Sequence, residues 1–246
     1  MDEAAPRRVV VTGAAKGLGR AIALRCARAG ADVVAGDVER PDDTEKAAEG
    51  LGGACLALAA DVTRRHQVDA MMATAIERFG GIDALVCNAA IGWPEPIFDV
   101  SEQSWDRVLG VNLKGAFLCV QAALPTMIEQ GSGSIVIVSS IAGRRASVTN
   151  GAHYTCSKYG LIGLARHLAI ELAGSGVRVN AVAPGPVPTD LLTEHTTPDE
   201  RAAIAARTPL RRLGEPEDVA EVVWFVAGPG ARHMHGAVID VNGGMH

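Results

Sequence analysis

The chain has 246 residues, of which 48% are hydrophobic, and its 23 basic and 28 acidic side chains give a net charge of −5. This length fits a single α/β domain, and the hydrophobic fraction excludes a disordered chain. The basic residues form no run longer than a pair, which argues against the concentrated positive surface of a nucleic-acid-binding protein.

The start of the chain and its uncharged stretches predict no membrane segment. Residues 1–6 have neither the basic nor the apolar region of a secretory signal. The longest stretches without a charged residue, 115–128 and 130–143, have 14 residues each, whereas a helix needs about 20 apolar residues to span a bilayer. We therefore expect a soluble, cytoplasmic protein whose partners include neither nucleic acid nor membrane.

The cysteines and histidines predict neither a disulfide framework nor a metal site. The five cysteines lie 29 to 37 residues apart, with no Cys-x-x-Cys pair, and we expect buried, reduced thiols at Cys26, Cys55, Cys87, Cys119 and Cys156. His233 and His235 have no nearby carboxylate or cysteine pair to complete a metal site.

Short β-branched runs alternate with helical patterns along the chain. The predicted strands are 9–11, 33–35, 56–58, 84–86, 135–138, 177–182 and 238–241, and the predicted helices are 18–29, 42–51, 64–79, 102–129, 153–173 and 216–227. Thr63 and Ser101 are expected to cap the third and fourth helices. This alternation predicts a Rossmann-type doubly wound parallel sheet of about seven strands with helices on both faces, in a single domain covering 1–246. Residues 188–213, in a proline-rich stretch of irregular pattern, are a candidate lid.

A glycine-rich turn follows the first predicted strand directly and precedes a helix. Gly13, Gly17 and Gly19 have the spacing Gly-x-x-x-Gly-x-Gly. Glycines there let the backbone approach a pyrophosphate held at the helix N-terminus. The turn therefore indicates a dinucleotide site, with a plain structural bend as the alternative.

Two charged residues near that turn point to different cofactors. Asp37 ends the second strand, 18 residues after Gly19, where a carboxylate is expected to bind the adenosine ribose 2′-hydroxyl. A carboxylate there repels a 2′-phosphate and favours NAD, whereas Lys16 in the turn favours NADP by charge attraction. We predict NAD, because a carboxylate facing NADP would lose its hydroxyl partner and meet a like charge.

Tyr154 and Lys158 have the spacing i, i+4 on a predicted helix, which places the phenol and the ammonium side by side. A tyrosine pKa near 10 must fall by about three units, or roughly 4 kcal/mol, for the phenol to act as a base at neutral pH. A neighbouring cation supplies part of that preference. The pair alone is weak evidence, because the same spacing occurs by chance in many helices.

The whole chain from Val9 to Gly244 resembles the classical short-chain dehydrogenase/reductase family. The matching blocks, in order, are Thr12 to Gly19, Asp61-Val62, Asn88-Ala89-Ala90, the segment from Ser139-Ser140 to Tyr154 and Lys158, and Asn180 to Gly185, with Asn112, Leu213 to Pro216 and Gly243-Gly244 in agreement. The chain departs from the family pattern in two ways. Cys87 and Ala90 replace an Asn and a Gly, and Ser140 and Tyr154 are 14 residues apart, one more than is typical.

The resemblance implies a catalytic set of four residues. Tyr154 would exchange the substrate hydroxyl proton, Lys158 would lower the pKa of Tyr154 and bind the nicotinamide ribose, and Ser140 would donate to the substrate oxygen. Asn112 would hold a water that links Lys158 to solvent. The cofactor-binding residues would be Gly13, Lys16, Gly17, Leu18, Gly19, Asp37, Asp61, Val62, Asn88, Tyr154, Lys158, Val187 and Thr189, with no metal.

These residues predict an NAD-dependent oxidoreductase that interconverts a secondary alcohol and a ketone on a small molecule. One alternative is an NADPH-dependent 3-oxoacyl-carrier-protein reductase, favoured by Lys16 and by the pair Arg144-Arg145. Another is a non-catalytic nucleotide-binding regulator on the same fold. Trp93 either walls the substrate pocket or covers a loop, and His153 is left out of catalysis because it points about 100° away from Tyr154 on the helix. The resemblance also implies a homotetramer formed by the helices near 102–129 and 153–173 and by the last strand.

Overall fold

The computed structural model describes residues 5–147 and 149–245. Its strands are β1 (Arg8–Thr12), β2 (Asp32–Asp37), β3 (Cys55–Ala59), β4 (Ala84–Cys87), β5 (Gly133–Val138), β6 (Val177–Pro184) and β7 (Val238–Val241). All pair in parallel, in the order β3-β2-β1-β4-β5-β6-β7. The predicted doubly wound sheet is confirmed, and each predicted strand lies within an observed one.

Helices cover both faces of the sheet. They are α1 (Gly17–Arg28), α2 (Asp42–Ala48), α3 (Arg65–Phe79), α4 (Glu102–Leu109), α5 (Gly115–Gln130), α6 (Ala152–Glu171), α7 (Asp190–Thr193), α8 (Pro198–Arg207) and α9 (Pro216–Ala227). Side chains alternate along a strand, so Val10 packs with α3, α5 and α6, whereas Val9 and Val11 pack with α1 and α9 on the other face. Strands buried on both faces explain the nearly continuous apolar runs in the sequence.

The strand order places a cleft at one edge of the sheet. From β1 the chain first builds the side of β2 and β3, and then returns to add β4 next to β1. At such a reversal the loops beyond the carboxyl ends of β1 and β4 diverge and leave a crevice. Every loop described below as part of the site follows the carboxyl end of a strand.

The predicted helix 102–129 is divided in the structure. A π-helical turn, Gly110–Lys114, separates α4 from α5. Ser101 caps α4 as predicted, since its hydroxyl accepts the Ser104 N–H at 3.0 Å. The prediction that Thr63 caps the preceding helix is wrong: Arg64 occupies the N-cap position of α3 without a side-chain capping hydrogen bond, and the Thr63 hydroxyl donates to Asp61 Oδ1 at 2.7 Å.

The stretch from 184 to 216 is more regular than its prolines suggested. It contains α7 and α8, and α8 begins with a capping box in which Thr197 and Glu200 bind each other's backbone N–H groups. Pro198 is the first residue of α8, where the missing N–H removes no helical hydrogen bond. A proline that looks like a breaker in the sequence therefore starts a helix here.

The five cysteines are all free thiols, but they are not all buried. Cys26, Cys87 and Cys119 are buried, Cys55 is half-buried and Cys156 is exposed. The expectation of a buried thiol is wrong for Cys156, because α6 turns Tyr154, Ser157 and Lys158 inward and leaves this position on its outer side.

One helical stretch in the described part of the chain, Glu102–Gln130, has the length and mean hydropathy (1.4) of a membrane-spanning helix. Its buried side chains, among them Leu118, Val120 and Met127, belong to the core beneath the sheet. Contact with β4, β5 and α3 accounts for this apolar character.

Candidate active site

The glycine turn between β1 and α1 is too tight for side chains. Gly13 and Gly17 have φ values of +67° and +55°, which favour glycine. A Cβ at Gly19 would lie 1.9 Å from the Gly13 carbonyl oxygen. Lys16 caps α1 without a side-chain hydrogen bond to its first turn. The cradle and the positive end of α1 therefore fit a pyrophosphate, which binds to backbone N–H groups.

Asp37 lies at the mouth of the cleft with its carboxylate held by the backbone. One oxygen accepts the Ala15 N–H at 2.9 Å and the other accepts the Val38 N–H at 2.7 Å. These bonds fix the carboxylate beside the glycine turn. Asp37 therefore presents a fixed negative charge at the wall of the cleft.

Lys16 makes an ion pair with Asp190, the first residue of α7. The hydrogen bond from Lys16 to Asp190 raises the pKa of the lysine. The ammonium is therefore partly neutralised by a residue of the lid region. Thr189 next to it also contacts the turn, since a Cβ at Gly17 would lie 3.0 Å from the Thr189 methyl group.

Asn88 and Asp61 connect loops as well as lining the cleft. The Asn88 amide donates to the carbonyl oxygens of Thr12 and Gly13, both at 3.0 Å, and so ties the end of β4 to the glycine turn. Asp61 Oδ1 accepts the Thr63 N–H at 2.8 Å. These bonds give both residues a structural role beside the expected contacts with adenosine.

Tyr154 and Lys158 project from α6 into the floor of the cleft. Both side chains are buried, and the Lys158 Nζ lies 5.5 Å from the centre of the Tyr154 ring. Lys158 also donates to the Val138 carbonyl oxygen at 3.1 Å. The Ser140 side chain, just beyond β5, accepts the Ala142 N–H at 3.1 Å and lies close enough to Tyr154 to lower the pKa of the phenol, against a larger opposite effect of burial. The structure therefore brings together three residues separated by up to 18 positions.

Burial has the largest effect on the pKa values of Tyr154 and Lys158. It raises the pKa of Tyr154 to about 12, against a smaller lowering by the Ser140 hydrogen bond. Burial also lowers the pKa of Lys158 to about 7. The direction at Tyr154 is opposite to the lowering expected from the neighbouring lysine. Burial therefore favours the neutral form of both groups. Either group ionises more readily when the other carries the opposite charge, because opposite charges attract strongly in a buried site.

Asn112 lies beneath the cleft, in the π-helical turn. Its Oδ1 accepts the Ile91 N–H at 2.8 Å, and its Nδ2 donates to the Ile91 carbonyl oxygen at 2.9 Å and to the Ser157 hydroxyl at 3.0 Å. Both amide hydrogens are therefore used to join the loop after β4 to α6. The water-holding role of Asn112 stays a prediction.

The cleft has a volume of about 1280 Å³. Of the residues predicted for the site, Gly13, Lys16, Gly17, Leu18, Asp37, Asp61, Val62, Asn88, Ser140, Tyr154, Lys158, Val187 and Thr189 line it. Gly19 and Asn112 are the two that do not, since both support the wall from behind. In the described part of the chain, no group of three or more His, Cys, Asp or Glu residues is placed to hold a metal ion.

Several lining residues were not predicted individually, although two of them fall within the candidate lid at 188–213. Ile204 and Arg207 come from α8, Met245 from the end of the described chain, and Gln103 and Arg107 from α4. The one signal for the α8 pair is the i, i+3 spacing of its two residues on a helix that opens with a capping box.

The structure distinguishes between the alternatives for Trp93 and between the two arginines at 144 and 145. Trp93 does not line the cleft; it packs edge-on against His153 and donates to Glu95, so it covers a loop. Arg144 forms an ion pair with Asp240 on β7, with Nη2 and Oδ2 2.7 Å apart. Of the arginine pair, Arg145 faces the cleft.

Comparison with known proteins gives full-length matches. Residues 13–246 match a family model described as enoyl-(acyl carrier protein) reductase. A cis-4-hydroxycyclohexanecarboxylate dehydrogenase of Sinomonas cyclohexanicum is 44% identical over 99% of this chain and 98% of its own. A 3-oxoacyl-[acyl-carrier-protein] reductase of Thermotoga maritima is 41% identical over 96% of both chains. The crystal structure of a short-chain type dehydrogenase/reductase from Mycobacterium marinum superposes with a TM-score of 0.93 and 32% identity, covering 98% of this chain and 96% of its own.

Proposed function

Because the chain belongs to the classical short-chain dehydrogenase/reductase family of NAD(P)-dependent oxidoreductases acting on CH–OH groups, we propose that it interconverts a secondary alcohol and a ketone with NAD, using Tyr154 as general acid and base. The observation that carries the proposal is the cluster of the half-buried Ser140 with the buried Tyr154 and Lys158 at the floor of the cleft. A non-catalytic role is not favoured, because the relatives named above are enzymes.

The cluster supports proton transfer at the substrate oxygen. In the oxidation direction a nicotinamide cofactor, which the glycine turn, Asp37 and Thr189 would hold, would supply the acceptor for the hydride of the alcohol carbon. The Tyr154 oxygen takes the hydroxyl proton, and the carbonyl bond forms as that O–H bond breaks. The Ser140 hydroxyl stabilises the charge that develops on the same oxygen. Reduction runs through the same contacts with Tyr154 as the proton donor.

Lys158 supplies the charge that this step needs. A protonated Lys158 beside Tyr154 favours the phenolate, because the two opposite charges attract each other and both side chains are buried. Its hydrogen bond to the Val138 carbonyl oxygen keeps Nζ near the tyrosine ring. An arginine could not replace it, because a guanidinium is larger and does not share a proton at neutral pH.

The preference for NAD rests on Asp37. Its carboxylate is fixed at the mouth of the cleft by two backbone N–H groups. A 2′-phosphate would meet this negative charge, and the countercharge on Lys16 is partly neutralised by Asp190. The relatives named as 3-oxoacyl-carrier-protein reductases favour a second candidate function, an NADPH-linked reduction of a 3-oxoacyl thioester.

We propose a homotetramer from the family resemblance and from an apolar face of the structure. The helices α4, α5 and α6 present apolar side chains around a shallow cavity of about 820 Å³, among them Leu113, Phe117 and Leu164. Together with the exposed edge of β7, this face supports the homotetramer that the family resemblance implies.

The reaction is tested with Tyr154→Phe. This variant should bind NADH within about twofold of the wild type and lose at least 10³-fold in kcat for 4-oxocyclohexanecarboxylate or acetoacetyl thioester, since the ring remains and the acidic proton is gone. Retained turnover would exclude Tyr154 as the acid and base.

Cofactor choice is tested by kcat/KM with NADH and with NADPH, measured with the same two ketones. We expect NADH to be preferred, and Asp37→Ala to reduce that preference at least tenfold. A wild-type preference for NADPH together with turnover of the thioester would support the second candidate.

A further inference from the structure

His153 is completely buried and directly precedes Tyr154 in the first turn of α6. The N-terminus of this helix lacks a capping side chain, because its N-cap is Gly151. The His153 Nδ1 accepts the Tyr154 N–H at 2.7 Å and so binds one of the N–H groups that a capping side chain would otherwise bind. The imidazole thus takes the place of a cap inside the protein.

This bond defines the protonation of the imidazole. A backbone amide always donates, so Nδ1 must carry a lone pair, and the ring proton lies on Nε2. His153 Nε2 lies 2.9 Å from Glu95 Oε2 and donates to it. The chain of bonds therefore runs from the carboxylate through the imidazole to the backbone of Tyr154.

Glu95 is itself held in place. The same Oε2 accepts the Ser104 hydroxyl and the Trp93 indole N–H, the latter at 3.1 Å. These hydrogen bonds, that from Ser104 first, hold the pKa of the Glu95 carboxyl below its usual range. The Trp93 ring lies edge-on to the imidazole, with ring centres 5.3 Å apart. Three elements, the loop after β4, α4 and α6, thus meet at one carboxylate oxygen.

The loop after β4 also confines the tyrosine ring. A Cβ at Gly92 would lie 2.5 Å from Tyr154 Cδ2, so the loop backbone lies directly against the ring. The Gly151 N–H donates to the Trp93 carbonyl oxygen at 3.0 Å. Tyr154 is therefore held by this loop at its ring and, through His153 and Glu95, at its backbone.

We propose that Glu95 and His153 form a positioning pair that fixes the first turn of α6 and thereby aims the Tyr154 hydroxyl at Ser140 and the substrate. Neither side chain lines the cleft, so both act through Tyr154. The pair matters because a displacement of about 1 Å at a reacting group can cost on the order of 10²-fold in rate. The inference rests on the proposed role of Tyr154.

The test separates the two hydrogen bonds of the imidazole. An asparagine amide can reproduce Nδ1 and a glutamine amide can reproduce Nε2, whereas phenylalanine reproduces neither. We expect His153→Phe to lower kcat about 10²-fold and His153→Asn to recover at least tenfold of that loss, since it can again accept the Tyr154 N–H. His153→Gln should recover less. His66→Phe, at an exposed histidine of α3, is the control and should leave kcat unchanged.

Glu95→Gln provides a milder second variant that keeps the size of the side chain. It should lower kcat about tenfold, with the dissociation constant for NADH within twofold of the wild type. Each kcat is measured with 4-oxocyclohexanecarboxylate and acetoacetyl thioester and is divided by the concentration of NADH-binding sites, so that unfolded protein does not count. Should His153→Phe not fold, Glu95→Gln and His153→Asn carry the test.

The positioning role is overturned if kcat per binding site is unchanged in Glu95→Gln and His153→Phe, or if Asn and Gln at position 153 lose as much as Phe. The Tyr154→Phe variant in the same assay tests the proposed function separately. An inactive Tyr154→Phe with fully active Glu95 and His153 variants would reject the positioning pair alone. An active Tyr154→Phe would reject the proposed function itself.

Discussion

Burial of the Lys158 side chain, on which the proposed reaction depends, lowers the stability of the fold. Its ammonium loses hydration on burial, and the pKa falls from 10.5 to about 7. Between about pH 7 and pH 10 the unfolded chain therefore binds more protons at this residue than the folded chain does. The free energy of unfolding rises with pH over that window, because deprotonation of the unfolded lysine removes the penalty for burying it neutral.

We predict that Lys158→Met removes this pH dependence. From pH 7 to pH 10, the free energy of unfolding of the wild type should rise relative to that of the variant by roughly 2–4 kcal/mol. Urea unfolding at several pH values measures the difference. Lys46→Met, at an exposed lysine on α2, is the control and should give a constant difference. Parallel curves for Lys158→Met and the wild type would show that Lys158 is not buried in the neutral form.

At the scale of the element, α1 and the glycine turn act as one unit. Gly19 lies inside α1 with ordinary helical geometry, yet a Cβ there would lie 1.9 Å from the Gly13 carbonyl oxygen and 2.6 Å from Asn88 Nδ2. The turn therefore depends on a residue that faces away from the cleft. Backbone atoms cannot move aside as the end of a long side chain can, so the methyl group must displace the turn.

Gly19→Ala is thus expected to raise the dissociation constant for NADH at least tenfold and to lower stability by about 1–3 kcal/mol. Fluorescence titration and thermal unfolding measure the two effects. Arg28→Ala, at the exposed last residue of α1, is the control, and it should change neither by more than a small amount, since exposed substitutions usually act within about 0.5 kcal/mol. Unchanged NADH binding in Gly19→Ala would mean that the turn does not hold the cofactor.

The π-helical turn between α4 and α5 also joins separate elements of the fold. It presents Asn112 to both the loop after β4 and α6. Such one-turn π segments occur frequently at functional sites. Here the turn carries the buried Asn112 amide, and that amide joins the two elements that also meet at Glu95 and His153.

For the whole molecule, the exposed apolar face of α4, α5 and α6 matters most. Phe117 is 45% exposed and Tyr159 is 47% exposed on this face. An isolated subunit would leave these rings in water, whereas a neighbouring copy would bury them. The helix α6, which carries Tyr154, contributes Leu164 to this face.

We expect the wild type to sediment at four times the 25.5 kDa of one chain. Phe117→Glu should shift the mass to dimers or monomers, because a carboxylate buried in an apolar interface loses its hydration. Ile76→Glu is the control, since Ile76 is 38% exposed on α3, away from this face, and should leave the mass unchanged. A monomeric wild type, or an unchanged mass in Phe117→Glu, would contradict the assignment.

The sequence alone determined the features that depend on local periodicity. β-branched runs alternating with helical patterns were sufficient for the parallel sheet, since a strand buried on both faces needs apolar residues at nearly every position. Spacing located the glycine turn and placed Tyr154 and Lys158 side by side on one helix, since helical geometry brings i and i+4 together. Only the family resemblance singled this pair out as a site, because the same spacing occurs by chance in many helices. The prolines between 184 and 216 were misleading, because they suggested an irregular stretch whereas Pro198 starts α8.

Only the tertiary structure decided which distant side chains meet and how deeply they are buried. The ion pair of Lys16 with Asp190 and the bond between Glu95 and His153 join residues 174 and 58 positions apart. The pKa values of Tyr154 and Lys158 move in directions set by burial, which no local spacing encodes. Pairing and dehydration are properties of the packed molecule, so Tyr154 and Lys158 could be located in the sequence while their pKa values depended on the fold.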